Sequence, residues 1–398
     1  MPPTSRPPSR QNRGVQPRTG PLTGVRVVEL AGIGPAPFAA MLLADLGADV
    51  IRVDRPGGTP TAAAPPPYDV LTRGRPSVVV DLKHADGARV VRDLAARADV
   101  LIEGFRPGVA ERLAIGPAEC LAVNPALVYG RVTGWGQNGP LAATAGHDLT
   151  YLARTGVLHA IGEAERSPQP PLNLVGDFGG GAMYLVVGVL AALLEARTSG
   201  KGQVVDAAVV DGTAHLTAMV AGQLAAGWWQ DRRGVNLLDG GAPFYTTYPC
   251  ADGRHLAVAP LEPRFYAAFL AGLGLDVDEV PDRNDPDAWD ALRRVLADRI
   301  ATRTQAEWVE VFAGTDSCVA PVLSLREAAS DPHLSARGTY VERAGIVQPA
   351  PAPRLSRTPG GLTSAPPSAY GADTRTALTA WGIDDVDALL GSGAIVQA

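Results

Sequence analysis

Short apolar-rich runs alternate with helix-periodic stretches along the first half of this chain. Residues 25–30 read as a buried strand, the turn from Gly32 through Pro37 leads into a helix over 38–46, and a strand over 49–53 follows. Strand, helix and strand within about thirty residues make a βαβ unit and favour a parallel sheet. The alternation goes on with a strand over 77–82, an amphipathic helix over 85–98, and strands over 99–103 and 127–132. An open α/β domain is the prediction.

Further on, the apolar run 182–194 is shorter than the about 20 residues that cross a bilayer, so it reads as a buried helix and no membrane partner is expected. A short strand over 204–207 and a helix over 210–226 follow, and after Trp228 and Trp229 the pattern changes. A hairpin pairing 244–249 with 255–259 about Asp252 and Gly253, then helices over 263–273, 286–302 and 304–312, predict a small α+β domain. Residues 346–370, rich in Pro and Ser, read as extended, and a helix over 384–390 closes the chain.

Composition narrows the function classes. A length of 398 residues predicts about two domains, and 46% hydrophobic residues supply a large core. A net charge of −6 with no Lys/Arg-rich block argues against a nucleic-acid partner, so any polyanion must be held by a few placed cations. Cys120, Cys250 and Cys318 are odd in number and far apart, which predicts neither a disulfide framework nor a zinc site; they read as small buried residues in a reducing cytoplasm. Residues 1–20 carry Arg6, Arg10, Arg13 and Arg18 without the apolar core of a secretory signal, and a disordered tail is expected.

The sharpest chemistry lies between Gly146 and Gly181. His147 and Asp177 each neighbour a glycine and flank a loop that ends at the apolar helix. Imidazole titrates at about 6.5 and a buried carboxyl is tuned upward, so the two are a candidate acid/base pair. A helix N-cap is the alternative for Asp177, and Asp148 suits a cap better than a reaction. Arg55, Lys83, Arg106 and Arg112 follow successive strand ends, where α/β sheets gather ligands, and together they suggest an anion site; each alone reads as a solvated charge. Gly32 and Gly34 followed by Asp54 resemble a dinucleotide fingerprint, but Pro37 occupies the third glycine position. His84, His159, His215, His255 and His333 lack metal-ligand spacing, and no metal is expected.

Several segments together carry a family resemblance. They are residues 22–30, residues 43–50 followed by Val53-Asp54-Arg55-Pro56, Thr133-Gly134-Trp135-Gly136-Gln137, Ala145-Gly146-His147-Asp148 and residues 199–207. With these the chain resembles the family III CoA-transferases, also called CaiB/BaiF. Residues 173–181 and 238–245 and Glu262-Pro263-Arg264-Phe265-Tyr266 liken it, within that family, to the α-methylacyl-CoA racemases.

That resemblance implies a Rossmann-like large domain with a parallel sheet built from both chain ends, a small α+β domain, and an interlocked homodimer. The expected division is a tail over 1–20, a CoA-binding part over 21–206, a linker helix over 207–226, a small domain over 227–331 and a return segment over 332–398. His147 and Asp177 match the acid/base groups, and Glu262 matches the carboxylate that pairs with the histidine. Arg55, Val80, Asp81, Leu82, Lys83, Arg106 and Arg112 fall where the family holds CoA, and Gly146, Asp148 and Tyr151 where it holds the thioester. No cofactor is implied beyond the CoA moiety of the substrate.

The implied reaction interconverts (2R)- and (2S)-2-methylacyl-CoA, removing the α-proton from one face and returning a proton to the other. Two groups on opposite sides suit it, with backbone amides after His147 as candidate stabilisers of the enolate. The rival is CoA transfer between carboxylic acids, with Asp177 as a nucleophile forming an acyl anhydride. A dinucleotide oxidoreductase and a non-catalytic interaction protein are further alternatives.

Overall fold

The computed structural model describes residues 18–58 and 64–398. Of the tail expected over 1–20, residues 1–17 lie outside that range, whereas Arg18 is anchored: its guanidinium donates to the Ala48 carbonyl at 2.6 Å and pairs with Asp49 at 2.7 Å.

Six parallel strands form the central sheet: β1 (Arg26–Leu30), β2 (Asp49–Asp54), β3 (Ser77–Val80), β4 (Val100–Glu103), β5 (Val128–Thr133) and β6 (Val204–Ala208). Their spatial order is β3, β2, β1, β4, β5, β6, and the C-terminal strand Ile395–Val396 adds to β3 antiparallel. Strands buried on both faces carry apolar residues in near-continuous runs, as parallel sheets demand. Val28, Ile51, Val78 and Leu101 enter one core, against the helix Gly87–Ala95 and the C-terminal helices. Val27, Val50, Val100 and Val128 enter the other, against helices Pro35–Asp45 and Met183–Ser199.

Charges are also buried in this sheet, and each has a partner, as the cost of burying a lone ion requires. Arg52 donates to Glu29 at 2.8 Å and to Asp54 at 3.0 Å, and Arg75 donates to the other oxygen of Glu29 at 2.6 Å. Ser77 closes the network by donating to Asp54 at 2.6 Å. The chain's end is tied to the same edge: Gly371 N–H donates to Ser77 Oγ at 2.8 Å, and Val79 N–H to Thr374 Oγ1 at 3.1 Å.

Two compact units result. One comprises residues up to 151 with 173–215 and 337–398, so that both chain ends build it; the other comprises 152–172 and 216–336. Residues 152–172, read from sequence as part of the large domain, thus cluster with the second unit. That unit contains an antiparallel sheet of Thr246–Pro249, His255–Val258 and Val319–Pro321. Helices Pro263–Leu273, Trp289–Ile300 and Gln305–Phe312 cover it around Phe269, Leu296 and Trp308.

Some expectations need correction. The helix expected over 210–226 is two, Val209–Leu216 and Ala218–Ala225, with Thr217 between them outside helical geometry at ψ 6°. The apolar run 182–194 belongs to a continuous helix over Leu174–Ser199, 26 residues long and apolar enough to cross a membrane by length and composition. Leu185, Val186, Val189, Ala192 and Leu193 of that helix are buried in the core. Of the three free cysteines, Cys120 and Cys250 are buried as expected but Cys318 is exposed. The extended reading of 346–370 holds for Ile346–Pro349, which is a strand paired antiparallel with Tyr340–Arg343.

Candidate active site

Strand order reverses between β1 and β4: the chain leaves β1 towards β2 and β3 on one side, then returns to β4, β5 and β6 on the other. The crevice outside the carboxyl ends at such a reversal is where open α/β sheets bind ligands. A cleft of about 280 Å³ lies there, lined by residues 33–35 after β1, 104–107 after β4 and 132–135 at the end of β5, together with Gly146, His147, Tyr151 and Asp177.

His147 leads into the short helix Asp148–Arg154. Its N–H donates to Thr150 Oγ1 at 3.0 Å, and its carbonyl accepts the Thr150 hydroxyl at 2.7 Å and the Thr150 N–H at 2.8 Å. These local bonds fix its backbone while the residue stays exposed.

Asp177 reaches the cleft from a different element. Residues Leu174–Ala182 form a π-helix, with Phe178 N–H donating five residues back to the Asn173 carbonyl at 3.1 Å. Such wide turns are rare and recur at functional sites. Small residues make this one possible: a β-carbon on Gly180 would stand 2.3 Å from Thr213 Oγ1, and one on Gly181 3.0 Å from Pro35 Cβ. Asp177 therefore sits inside a helix and does not cap one.

The Asp177 carboxyl is half-buried, and its pKa is raised to about 6. Desolvation is the main cause; the nearby Asp148 charge adds to it, while a hydrogen bond from the Asn173 side chain and the proximity of His147 oppose it. Asp148 also accepts the Asp177 N–H at 2.7 Å. Its carboxylate is thus turned onto the backbone of the neighbouring turn, although the family resemblance places this residue in the thioester-binding segment.

Tyr151 closes the cleft from the next turn. Its ring is buried, packs edge-on against Trp135 at 4.7 Å, and carries a hydroxyl whose pKa burial pushes up to about 12. Only glycines fit beside it: a β-carbon would stand 1.9 Å from Tyr151 Cζ at Gly134 and 2.4 Å from Cε1 at Gly146. Gly34 plays the same part for Asp177, since a β-carbon there would stand 2.8 Å from Asp177 Oδ2. Gly34, in the turn that resembles a dinucleotide fingerprint, therefore admits a carboxylate. Asp54, the ribose ligand in that reading, is buried and engaged by Arg52 and Ser77.

Among the candidate CoA residues, only Arg106 lines the cleft. Arg55, Lys83 and Arg112 are exposed at the carboxyl ends of β2 and β3 and beyond β4, and none of the three forms an ion pair among the described residues. Arg55 donates to the Gly58 carbonyl at 2.7 Å, and Lys83 N–H donates to Asp81 Oδ1 at 2.9 Å. Val80 is buried in the core, Asp81 N–H bonds to the Ala394 carbonyl at 2.9 Å, and Leu82 packs on the core's rim. Glu262 belongs to the second unit, where it is exposed at the start of helix Pro263–Leu273. The contributions of Gly34, Gly134, Trp135 and Asn173 went unseen in the sequence; glycines beside the ends of β1 and β5 are the signal that points to two of them.

Comparison with known proteins agrees with this geometry. The family model described as CoA-transferase family III matches residues 22–374. The chain is 45% identical to the α-methylacyl-CoA racemase of Mus musculus over 379 residues, covering 95% of this chain and 98% of the relative. It is 47% identical to that of Homo sapiens over 341 residues, covering 85% and 87%. Among solved structures, a CAIB/BAIF family protein from Brucella suis superposes with a TM-score of 0.77 at 28% identity, covering 91% of this chain and 100% of that one. The reversed parallel sheet, the cleft at its switch and the matched residues lead to one conclusion: this chain belongs to CoA-transferase family III.

Proposed function

We propose that this protein is an α-methylacyl-CoA racemase, interconverting (2R)- and (2S)-2-methylacyl-CoA thioesters by α-proton removal and return through an enolate. One observation carries the reading: His147 and Asp177 come from separate elements to line one cleft, and the carboxyl is raised to about 6, near the pH at which it must both take and give a proton. Identity of 45% to the mouse racemase over nearly the whole of both chains supports the same chemistry.

In this mechanism one of the pair removes the α-proton while the other holds a proton for the opposite face. Charge then develops on the thioester oxygen, and we assign its stabilisation to the backbone amides that open helix Asp148–Arg154. By its match to the family's histidine-pairing carboxylate, we assign to Glu262 the orienting of the imidazole in the assembled dimer. Arg106, with Arg55, Lys83 and Arg112, holds the CoA phosphates, for which planar guanidinium donors and a lysine point charge are suited. The substrate's own CoA is the only cofactor this chemistry uses. The active enzyme is an interlocked homodimer; Val187 and Leu194, 61% and 69% exposed on helix Met183–Ser199, support a partner surface there. We place the protein in the cytoplasm.

Proton NMR in deuterated water tests the reading. A 2-methylacyl-CoA of one configuration, incubated without an acceptor acid, should exchange its α-proton and yield the other epimer, and His147→Ala should stop both. Absence of exchange, with CoA moving to a carboxylic acid added afterwards, would overturn racemisation and make Asp177 a nucleophile.

A further inference from the structure

Asp148 stands out as a half-buried acid that the mechanism above does not use. It is not among the residues lining the cleft, and its side chain forms no ion pair among the described residues. Its bonds go elsewhere. Asp148 Oδ1 accepts the Asp177 N–H at 2.7 Å, and the neighbouring Gly176 N–H also favours the ionised form of this carboxylate. Both residues belong to the π-helical turn, while Asp148 itself is covalently next to His147 and opens the following helix. Two separate elements, each carrying one proton-transfer group, are thereby joined through one carboxylate.

We propose that Asp148 is a positioning residue for the racemase pair: its carboxylate bolts the His147 turn to the Asp177 turn and so fixes the separation across which the two groups face the substrate. The inference rests on the function proposed above. Three arguments favour it over a passive role. Charge-assisted hydrogen bonds to backbone N–H are short and strong, and the one from Asp177 spans the two turns directly. A π-turn distorts regular backbone bonding, so an external acceptor there holds the distortion in place. Finally, proton transfer is sensitive to placement, with about 1 Å of misplacement costing on the order of 100-fold.

The bolt also places a negative charge beside Asp177. Around Asp177, the polar and charged groups that face it are Asp148 and His147 from one turn and Asn173 from its own; Tyr151 is a further neighbour, and Arg106 lines the same cleft. Of these, Asp148 is the one like charge. Removing it favours the ionised form of Asp177, so the carboxyl must then titrate at lower pH.

Two variants separate the two effects. Asp148→Asn keeps an oxygen that accepts N–H bonds but removes the charge; Asp148→Ala removes both. Amide hydrogen exchange at Gly176 and Asp177, read by NMR, should stay slow in Asp148→Asn and accelerate at least 10-fold in Asp148→Ala, with distant core amides unchanged in both. Carbon-13 NMR of the Asp177 carboxyl should show its midpoint moving below that of the wild type in both variants. In the racemisation assay, Asp148→Ala should lose on the order of 100-fold in kcat with KM within about threefold, and Asp148→Asn should lose about 10-fold or less. Unchanged amide exchange in Asp148→Ala, or a rise in KM alone, would overturn the proposal and make Asp148 a substrate ligand. The NMR readouts do not need turnover, so a wild-type protein that fails to racemise would sink the proposed function while the bolt is still judged on its own.

Discussion

Asp177 Oδ2 lies 2.8 Å from where a β-carbon on Gly34 would stand, and Gly34 holds φ at 69°, a conformation that other L-residues rarely adopt. Loop and carboxylate have been fitted to each other. Gly34→Ala therefore carries both backbone strain and a clash with a proton-transfer group. We expect kcat to fall on the order of 100-fold for a displacement of about 1 Å, with the unfolding midpoint lowered only modestly. Steady-state racemisation alongside a thermal melt checks this; a variant of wild-type kcat would show that the carboxylate does not need its present place.

The pH profile follows from what the pair must carry. Racemisation in either direction needs one proton shared between His147 and Asp177: with two, no base is left, and with none, no acid. Activity must therefore rise and fall as a bell whose limbs belong to the pair. Desolvation and Asp148 raise the Asp177 carboxyl from its ordinary value to about 6. A raised carboxyl is protonated over a wider range, so the bell shifts towards neutrality relative to a carboxylate at about 3.9. The two epimers share one proton count, so kcat/KM measured from each should trace the same bell. Epimers with different limbs would refute a shared proton.

Much of the sheet is legible in the sequence because apolar content there answers to burial on both faces. Residues 25–30, 49–53, 77–82, 99–103, 127–132 and 204–207 all become strands of one sheet. His147 and Asp177 are legible as chemistry, since both are titratable beside glycines, and they do line one cleft. The π-turn is not legible, because Gly179, Gly180 and Gly181 permit many backbones and tertiary contacts, those with Thr213, Pro35 and Asp148 among them, select this one. Nor is the real use of Gly34, whose partner lies 143 positions on in sequence (177 − 34). The break in the helix over 210–226 is equally hidden, since Thr217, though a weaker helix former than Leu216 or Ala218, costs too little to end a helix by itself.

Gly134 and Tyr151 give a test of packing in the cleft wall. A β-carbon on Gly134 would stand 1.9 Å from Tyr151 Cζ, too close for any rotamer adjustment of the alanine itself. Overpacking of this kind costs about 1–3 kcal/mol. Gly134→Ala should be destabilised by that amount and lose activity as the Tyr151 ring is driven from its edge-on contact with Trp135. In a Tyr151→Ala background the same substitution should cost close to nothing, because the atoms it strikes are gone. Urea unfolding of the four proteins closes the cycle, and additive costs would disprove the contact.

The buried network around Glu29 tests what holds the sheet itself. Glu29 is fully buried and accepts from both Arg52 and Arg75. Arg52 keeps Asp54 if Glu29 is lost, but among the described residues Arg75 would keep only the hydrogen bond to the Pro37 carbonyl at 3.1 Å, with Asp69 and Asp45 as more distant negative charges. A buried guanidinium stripped of its hydrogen-bonded carboxylate is costly, so Glu29→Gln should destabilise the protein by about 3–5 kcal/mol, read as a lower urea midpoint at unchanged slope. Arg75→Met added to Glu29→Gln removes the orphaned charge and should recover part of that loss. Recovery is the discriminating outcome: if the double variant is no more stable than Glu29→Gln alone, the cost lies in lost packing or lost hydrogen bonds, and the pairing of charge with charge is not what secures β1 to β2 and β3.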